Sequence, residues 1–238
     1  MGEREISRQL AMMRRDWDRR ARENARHYVV TGQPEWTDEE FYESGEIAMR
    51  EDIHNDLTNI CQGKDPRAMR ILEIGCGAGR MTHAFAGFFG EVHAVDISRE
   101  MVLRARAAVA ALPHAHVHVN NGRNLSSLDR WWNRLGIGHV MQFDFAYSSM
   151  VFQHIASREI IESYVRDVNR RLRPGGLFKF QLQGSPYSYA NAADTWVGAS
   201  YSEGQARELA ERCGYEMRYA HGAGTQYFWL WFFKRNQP

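Results

Sequence analysis

The chain has 238 residues, 44% of them hydrophobic, which is enough for one substantial α/β core. Its 30 basic and 29 acidic side chains leave a net charge of +1, a balance that argues against a nucleic-acid partner. Three cysteines, Cys61, Cys76 and Cys213, are too few and too scattered for a disulfide framework or a structural zinc site.

Ile6, Leu10, Met13, Trp17, Ala21, Ala25 and Tyr28 recur every three or four residues. They predict one continuous amphipathic helix running to Thr31-Gly32, about 23 residues long. Residues 1–30 carry eight arginines, whereas residues 31–60 carry nine acidic side chains against the single Arg50. Charges also occupy the N-terminal stretch where a secretory signal needs an apolar centre, and no run reaches the length of a membrane span, so a cytoplasmic protein is expected. Thr37 ahead of Asp38-Glu39-Glu40 reads as the cap of one or two further helices over 37–60, followed by a polar connector at Gly63–Pro66.

From residue 69 the rhythm is strand, turn, helix. Strands are expected at Arg70–Ile74, Glu91–Val95, His116–Asn120, His139–Ala146 and Leu177–Leu182. The expected helices are Arg80–Phe89, Arg99–Ala111, Leu125–Leu135 and Glu159–Leu172. Pro174-Gly175-Gly176 is read as a sharp turn into the fifth strand. Ser202 caps a helix over Glu203–Cys213, and Tyr215–Tyr219 and Gln226–Lys234 form a closing antiparallel hairpin. The pattern implies a Rossmann-like, mostly parallel sheet covered by helices, with residues 1–62 as a helical extension and 63–238 as the main domain. The aromatic run YFWLWFF is read as a buried strand rather than a membrane contact, and a dimer surface stays open.

The stretch ILEIGCGAGR places Gly75, Gly77 and Gly79 directly after a strand, where glycine permits close approach of a ligand. A dinucleotide fingerprint would read G-x-G-x-x-G; here the third glycine comes one residue early, and Glu73 sets a carboxylate near the mouth. A carboxylate is unfavourable beside pyrophosphate but suits a sulfonium or an amino group. Asp96 ends the second strand 21 residues after Gly75, where an acid accepts ribose hydroxyls. Ile97 and Met101 offer an apolar wall to a base, and Asn121, followed by Gly122 and Arg123, offers an amide to its edge.

LEIGCGAGR, AVDIS, FDFAYSSMVFQHI and LRPGG together resemble the class I S-adenosylmethionine-dependent methyltransferases. The resemblance covers residues 69–182 and extends to the closing hairpin. It implies a seven-stranded sheet with an antiparallel last strand, and S-adenosylmethionine lying across Gly75, Cys76, Gly77 and Gly79. Arg80 then belongs to the cofactor-binding set, with the ribose on Asp96 and the adenine beside Ile97 and Asn121-Gly122. The family usually has aspartate where this chain has Asn121.

The N-terminal segment WDRRARENARHYVVTG is similar to the leading helix of bacterial small-molecule or sugar-directed members, which implies a cover over the methionine end of the cofactor. Trp17 is read as core packing; for Tyr28 packing and cofactor contact both stay open. Tyr147 and Ser148 follow the fourth strand and are assigned to the methionine portion. His154 is the candidate general base or acceptor contact, with His221 as the alternative base and Gln183 and Tyr187 as acceptor contacts. The expected acceptor is a small molecule bearing a hydroxyl or amine, and the protein a monomer or homodimer. Transfer to RNA or protein, an NAD-dependent oxidoreductase and a noncatalytic nucleoside-binding module are the competing readings. No metal is assigned: His114, His116 and His118 alternate along one strand, where three imidazoles could bind a metal, and they are read instead as its solvated face.

Overall fold

The computed structural model describes residues 2–129, 140–186 and 195–236. Its seven strands follow the order β3-β2-β1-β4-β5-β7-β6, with β1 Arg70–Ile74, β2 Glu91–Asp96, β3 Ala115–Val119, β4 Phe143–Ser148, β5 Leu172–Leu182, β6 Tyr215–His221 and β7 Phe228–Lys234. The helices are α1 Glu3–Val29, α2 Asp38–Asp52, α3 Leu57–Cys61, α4 Arg80–Phe88, α5 Arg99–Ala108, α6 Arg158–Arg171 and α7 Glu203–Arg212. The chain divides into two compact units, Met13–Asn120 and Met1–Met12 with Asn121–Pro238.

In the Met13–Asn120 unit, β1, β2 and β3 are parallel, with Ile71 opposite Val92 and His93 opposite His116. Alternation along the strands turns Ala94 and Val117 toward Val102, Ala105 and Val109, burying one face of β2 and β3. Thr37 forms a complete capping box with Glu40 at the start of α2, as its sequence predicts. A second apolar cluster joins Ala21 and Ala25 to Phe41, Ala78 and Met101, with Trp17, Val29 and Trp36 partly buried around it.

The expected continuous N-terminal helix is broken. Asn24 leaves helical geometry (φ −164°, ψ 85°). Its side-chain oxygen accepts from the His27 amide at 3.2 Å, and its amide nitrogen donates to the Pro34 carbonyl at 2.8 Å. An asparagine that can satisfy the backbone three residues on competes with the helix and restarts it, the behaviour of an N-cap. The apolar stripe passes through this break, so periodicity alone does not reveal it.

In the other unit, β5 is parallel to β4 and antiparallel to β7, and β7 is antiparallel to β6. Ser157 and Ser202 cap α6 and α7. The α6 stripe of Ile160, Ile161, Tyr164, Val165 and Val168 is buried. Phe152, Phe178, Phe180, Tyr215 and Phe232 form an aromatic core. The turn expected at Pro174-Gly175-Gly176 lies inside β5: the register passes from Phe143–Leu172 to Phe145–Leu177, so the extra residues bulge out. A Cβ on Gly176 would stand 3.1 Å from the Asp144 carbonyl oxygen, which leaves no room for a side chain there.

β4 starts at Phe143, later than the expected His139, because its pairing starts where β5 begins. His139 and most of the helix expected over Leu125–Leu135 lie outside the described residues; Ser126–Leu128 forms a 3-10 turn. β7 carries the aromatic run, with Phe228, Leu230 and Phe232 buried and Trp229 and Trp231 half-buried on the other face. There the Lys179 ammonium lies 4.7 Å from the Trp231 ring centre. Among the described residues no helix is long and apolar enough to cross a membrane.

Candidate active site

In the Met13–Asn120 unit the glycine turn folds onto the end of β2. Gly75, Gly77 and Gly79 all adopt positive φ (77°, 51° and 89°), the region that favours glycine. A Cβ on Gly79 would also lie 2.9 Å from the Ala105 Cα, so this residue lets α5 approach the turn. The amides of Gly75 and Cys76 donate to the Val95 carbonyl at 2.8 and 3.1 Å, and that of Gly79 donates to the Cys76 carbonyl at 2.9 Å. The Gly77 amide donates to Asp96 Oδ2 at 2.9 Å. These four N–H groups are consumed inside the protein, so they form no anion cradle.

Asp96 accepts a second backbone bond from the Ser98 amide at Oδ1, 2.8 Å. The residue keeps some surface in solvent, but dense protein around the carboxyl pushes its pKa up to about 6, partly offset by the amides of Ser98 and Gly77. Each carboxylate oxygen holds a backbone amide, and the remaining lone pairs suit a vicinal diol. Glu73 is buried, and Thr82 Oγ1 donates to its Oε2 at 2.6 Å. Burial pushes the Glu73 carboxyl up to about 7, against the pull of the Thr82 hydroxyl and nearby Arg80.

The remaining sequence-selected side chains of this unit have varied surroundings. Cys76 faces the α5 core, where burial raises its thiol pKa, so only its backbone belongs to the turn. Arg80 donates from Nη1 to the Ser44 carbonyl at 2.9 Å and thereby ties α4 to α2. Met101 is buried in the cluster shared with Ala21, Ala25 and Phe41, while Ile97 keeps partial exposure. Tyr28 donates its hydroxyl to Glu23 Oε2 at 3.2 Å. Val29 stands closer to the turn, its Cγ2 2.6 Å from where a Gly77 Cβ would be.

In the other unit, the Asn121 amide is engaged in its own turn. Its Nδ2 donates to Asn124 Oδ1 at 2.8 Å, and its Oδ1 accepts from the amides of Arg123 and Asn124. The side chain on which the adenine contact was expected is thus committed to its own turn, beside Gly122 at φ 83°. Arg123 forms a bidentate pair with Glu3 at 2.7 and 2.8 Å. Tyr147 and Ser148 are fully buried at the end of β4, and the Tyr147 ring lies 6.0 Å from that of Trp229.

His154 closes a directional chain of hydrogen bonds. The Met150 amide donates to Gln181 Oε1 at 3.0 Å, and Gln181 Nε2 donates to Gln153 Oε1 at 3.0 Å. Gln153 Nε2 then faces His154 Nε2 at 3.3 Å, and His154 Nδ1 faces the Trp196 carbonyl. A backbone donor at one end and a backbone acceptor at the other fix every amide and the tautomer: the proton sits on Nδ1 and the lone pair on Nε2. Gln153 and His154 line a cavity of about 340 Å³ with Gln183, Ser185, Trp196 and Gln226. His221 is exposed at the end of β6, outside that lining, and Tyr187 lies outside the described residues.

Residues 72–178 match the family model described as a methyltransferase domain. That stretch is of the methyltransferase type, and the fold is one shared with S-adenosylmethionine-dependent methyltransferases of known structure. Of its solved structural relatives, an S-adenosylmethionine-bound amino pentose methyltransferase of calicheamicin biosynthesis from Micromonospora echinaspora superposes with a TM-score of 0.60 at 17% identity, covering 85% of this chain and 98% of that one. Two curated relatives are a dTDP-3-amino-3,4,6-trideoxy-alpha-D-glucopyranose N,N-dimethyltransferase from Streptomyces venezuelae, 22% identical over 66% of this chain, and a ubiquinone biosynthesis O-methyltransferase from Xanthomonas oryzae pv. oryzae, 28% identical over 58%. The chain spans 59% and 52% of their respective lengths.

The amino pentose methyltransferase above was solved with S-adenosylmethionine bound, and the domain matched over residues 72–178 is of the methyltransferase type. Its turn fits that cofactor better than a dinucleotide: the four consumed amides and buried Glu73 would leave pyrophosphate without donors, whereas a cationic sulfonium or ammonium gains from a carboxylate. Residues that pattern reading passes over support the site from behind: Thr82 under Glu73, Ser98 beside Asp96, and Gln181 and Trp196 around His154. The helix cap at Ser98 was open to detection; Gln181 and Trp196 are far from His154 in sequence and carry no local signal.

Proposed function

We propose that the protein transfers the methyl group of S-adenosylmethionine to a hydroxyl or amine of a small, polar, ring-shaped acceptor of the sugar class. The observation that carries this reading is the His154 cavity. It joins amide side chains, which hydrogen-bond hydroxyl and amino groups, to an indole whose face suits a sugar ring. Two of the relatives named above act on amino sugars or an amino pentose by their descriptions, and a third is an O-methyltransferase, so both acceptor atoms stay in the class.

S-adenosylmethionine supplies an electrophilic methyl carbon. The chain's part is to bind and orient the acceptor, exclude water and hold the leaving proton. Asp96 takes the ribose hydroxyls, and Glu73 favours the cationic end. Gly75, Cys76, Gly77 and Gly79 supply a backbone surface, and Ile97 and Met101 border the base. Arg80 and Tyr28 act through the structure around that surface, and in the other unit Tyr147 and Ser148 shape the end of β4.

His154 takes the acceptor proton on Nε2. The acceptor group displaces the Gln153 amide from that lone pair, and the Trp196 carbonyl steadies the imidazolium that forms through Nδ1–H. Residues 1–62 close over the cofactor from α1. The reading is supported by Val29 above Gly77 and by the hydrogen bond from Ser98 to Asp18. Radiolabelled S-adenosylmethionine incubated with panels of amino sugars, hydroxylated sugars, phenols, RNA and protein tests the assignment. Turnover confined to RNA or protein would reject it.

A further inference from the structure

One group of side chains has no part in the chemistry above. Glu91 and His93 point to the same face of β2, and His116 stands directly opposite His93 on β3. This is the face away from Ala94 and Val117, which pack against α5. A ligand atom from each of Glu91, His93 and His116 lies within 4.8 Å of the others. The His93 and His116 ring centres are 4.8 Å apart, and His118 stacks parallel to His93 at 5.7 Å. His114, which the sequence groups with His116 and His118, is separate: its Nε2 meets the Ala86 carbonyl at 2.8 Å.

We infer that Glu91, His93 and His116 form a binding site for one divalent ion of the zinc class, which braces edge strand β3 against β2. Two imidazoles and a carboxylate are a donor set for Zn²⁺, Ni²⁺ or Cu²⁺ rather than for Mg²⁺ or Ca²⁺, which take oxygen ligands. Metal–nitrogen bonds of about 2.0–2.1 Å in a tetrahedral site bring donors to roughly 3.4 Å from one another, a closure that side-chain rotation supplies. Arg70 Nε holds Glu91 Oε2 at 2.7 Å, which orients the carboxylate with Oε1 toward His93 Nε2 at 2.8 Å. The ion takes the place of the proton those two atoms share.

A further observation fits. His118 Nε2 is buried and has no hydrogen-bond partner among the described residues, so it is available to a ligand or to water on the ion. The role is structural. His93 lies three residues before Asp96, roughly 10 Å along the strand, so an ion here does not reach the ribose end.

The test uses the full chain, stripped with chelator and titrated with ZnCl₂ by calorimetry and with Co²⁺ by visible absorption. The expected result is one equivalent bound, a tetrahedral cobalt spectrum and a rise in melting temperature with free Zn²⁺. His116→Gln and Glu91→Gln, both at partly exposed positions and checked for folding by circular dichroism, should weaken binding by about tenfold or more and lose the thermal response. His114→Gln should behave as the parent. Less than stoichiometric binding by the parent, or unchanged affinity in either folded variant, overturns the site.

Discussion

The Ser98 hydroxyl donates to Asp18 Oδ1 at 2.6 Å, joining the cap of α5 to the N-terminal helix eighty residues away in sequence. The same oxygen accepts from the Glu100 amide at 3.2 Å, while Ser98 Oγ accepts from the Met101 amide and Ser98 N–H holds Asp96. Asp18 thus acts as a second cap on α5 and sets a negative charge near Asp96. Asp18→Ala should cost about 1 kcal/mol of stability, the usual worth of a cap, and weaken S-adenosylhomocysteine several-fold. Denaturant unfolding and calorimetry read the two effects. Unchanged cofactor affinity would separate the extension from the cofactor site.

Glu73 makes the apo protein sensitive to pH. Its folded pKa of about 7 lies above the ordinary 4.5, so the folded state holds a proton that the unfolded state releases. Its contribution is present below about pH 4.5 and declines as pH rises to about 7, a change on the order of 3 kcal/mol. Glu73→Gln should flatten this part of the stability profile. S-adenosylmethionine affinity should rise in the parent between pH 6 and 8, as the carboxylate ionises opposite a cation, and this rise should be absent from the variant. Melting curves and titrations across pH 5–8 check both; an identical slope in parent and variant refutes the assignment.

Asp96→Asn separates the ribose role from the structural one, because the amide oxygen still accepts from one backbone N–H. Charge-assisted hydrogen bonds are worth about 1.5–3 kcal/mol, so cofactor affinity should fall roughly tenfold or more in a folded protein. Asp96→Ala also strands the amides of Gly77 and Ser98 and should be the less stable of the two. An unchanged dissociation constant for Asp96→Asn would remove the ribose from this carboxylate.

His154→Gln should leave S-adenosylhomocysteine binding near that of the parent and lower the rate of methyl transfer to a hydroxyl acceptor by about 100-fold or more. Gln153→Leu breaks the hydrogen-bond chain without removing the imidazole. It should raise the acceptor KM and change the rate less than His154→Gln does. Equal turnover by His154→Gln and the parent would assign the histidine to structure alone.

Much of this fold was legible because its signals are local. Capping residues Thr37 and Ser202 and the continuously buried runs of β1 and β2 are read within a few residues. The glycine turn was legible too, since positive φ at Gly75, Gly77 and Gly79 is what glycine there means. Features that depend on distant partners were not. The break at Asn24 needs the Pro34 carbonyl, and the polarity of His154 needs Gln181 and Trp196. His116 and His118 were visible as a pattern, but their neighbour His93 emerges only from the parallel register of β2 and β3.

The position of β7 orders the assembly of its sheet. The strand lies between β5 and β6, yet both partners precede it in the chain, so β6 has no neighbour and β5 keeps an open edge until residues 228–234 arrive. During synthesis on the ribosome, an apolar β5 edge waits through the whole stretch from Leu182 to Phe228, the interval in which edge-to-edge aggregation competes with folding. Chains halted before β7 should therefore require a chaperone to stay dispersed, whereas chains that include it should release that dependence in one step as the keystone strand seats itself.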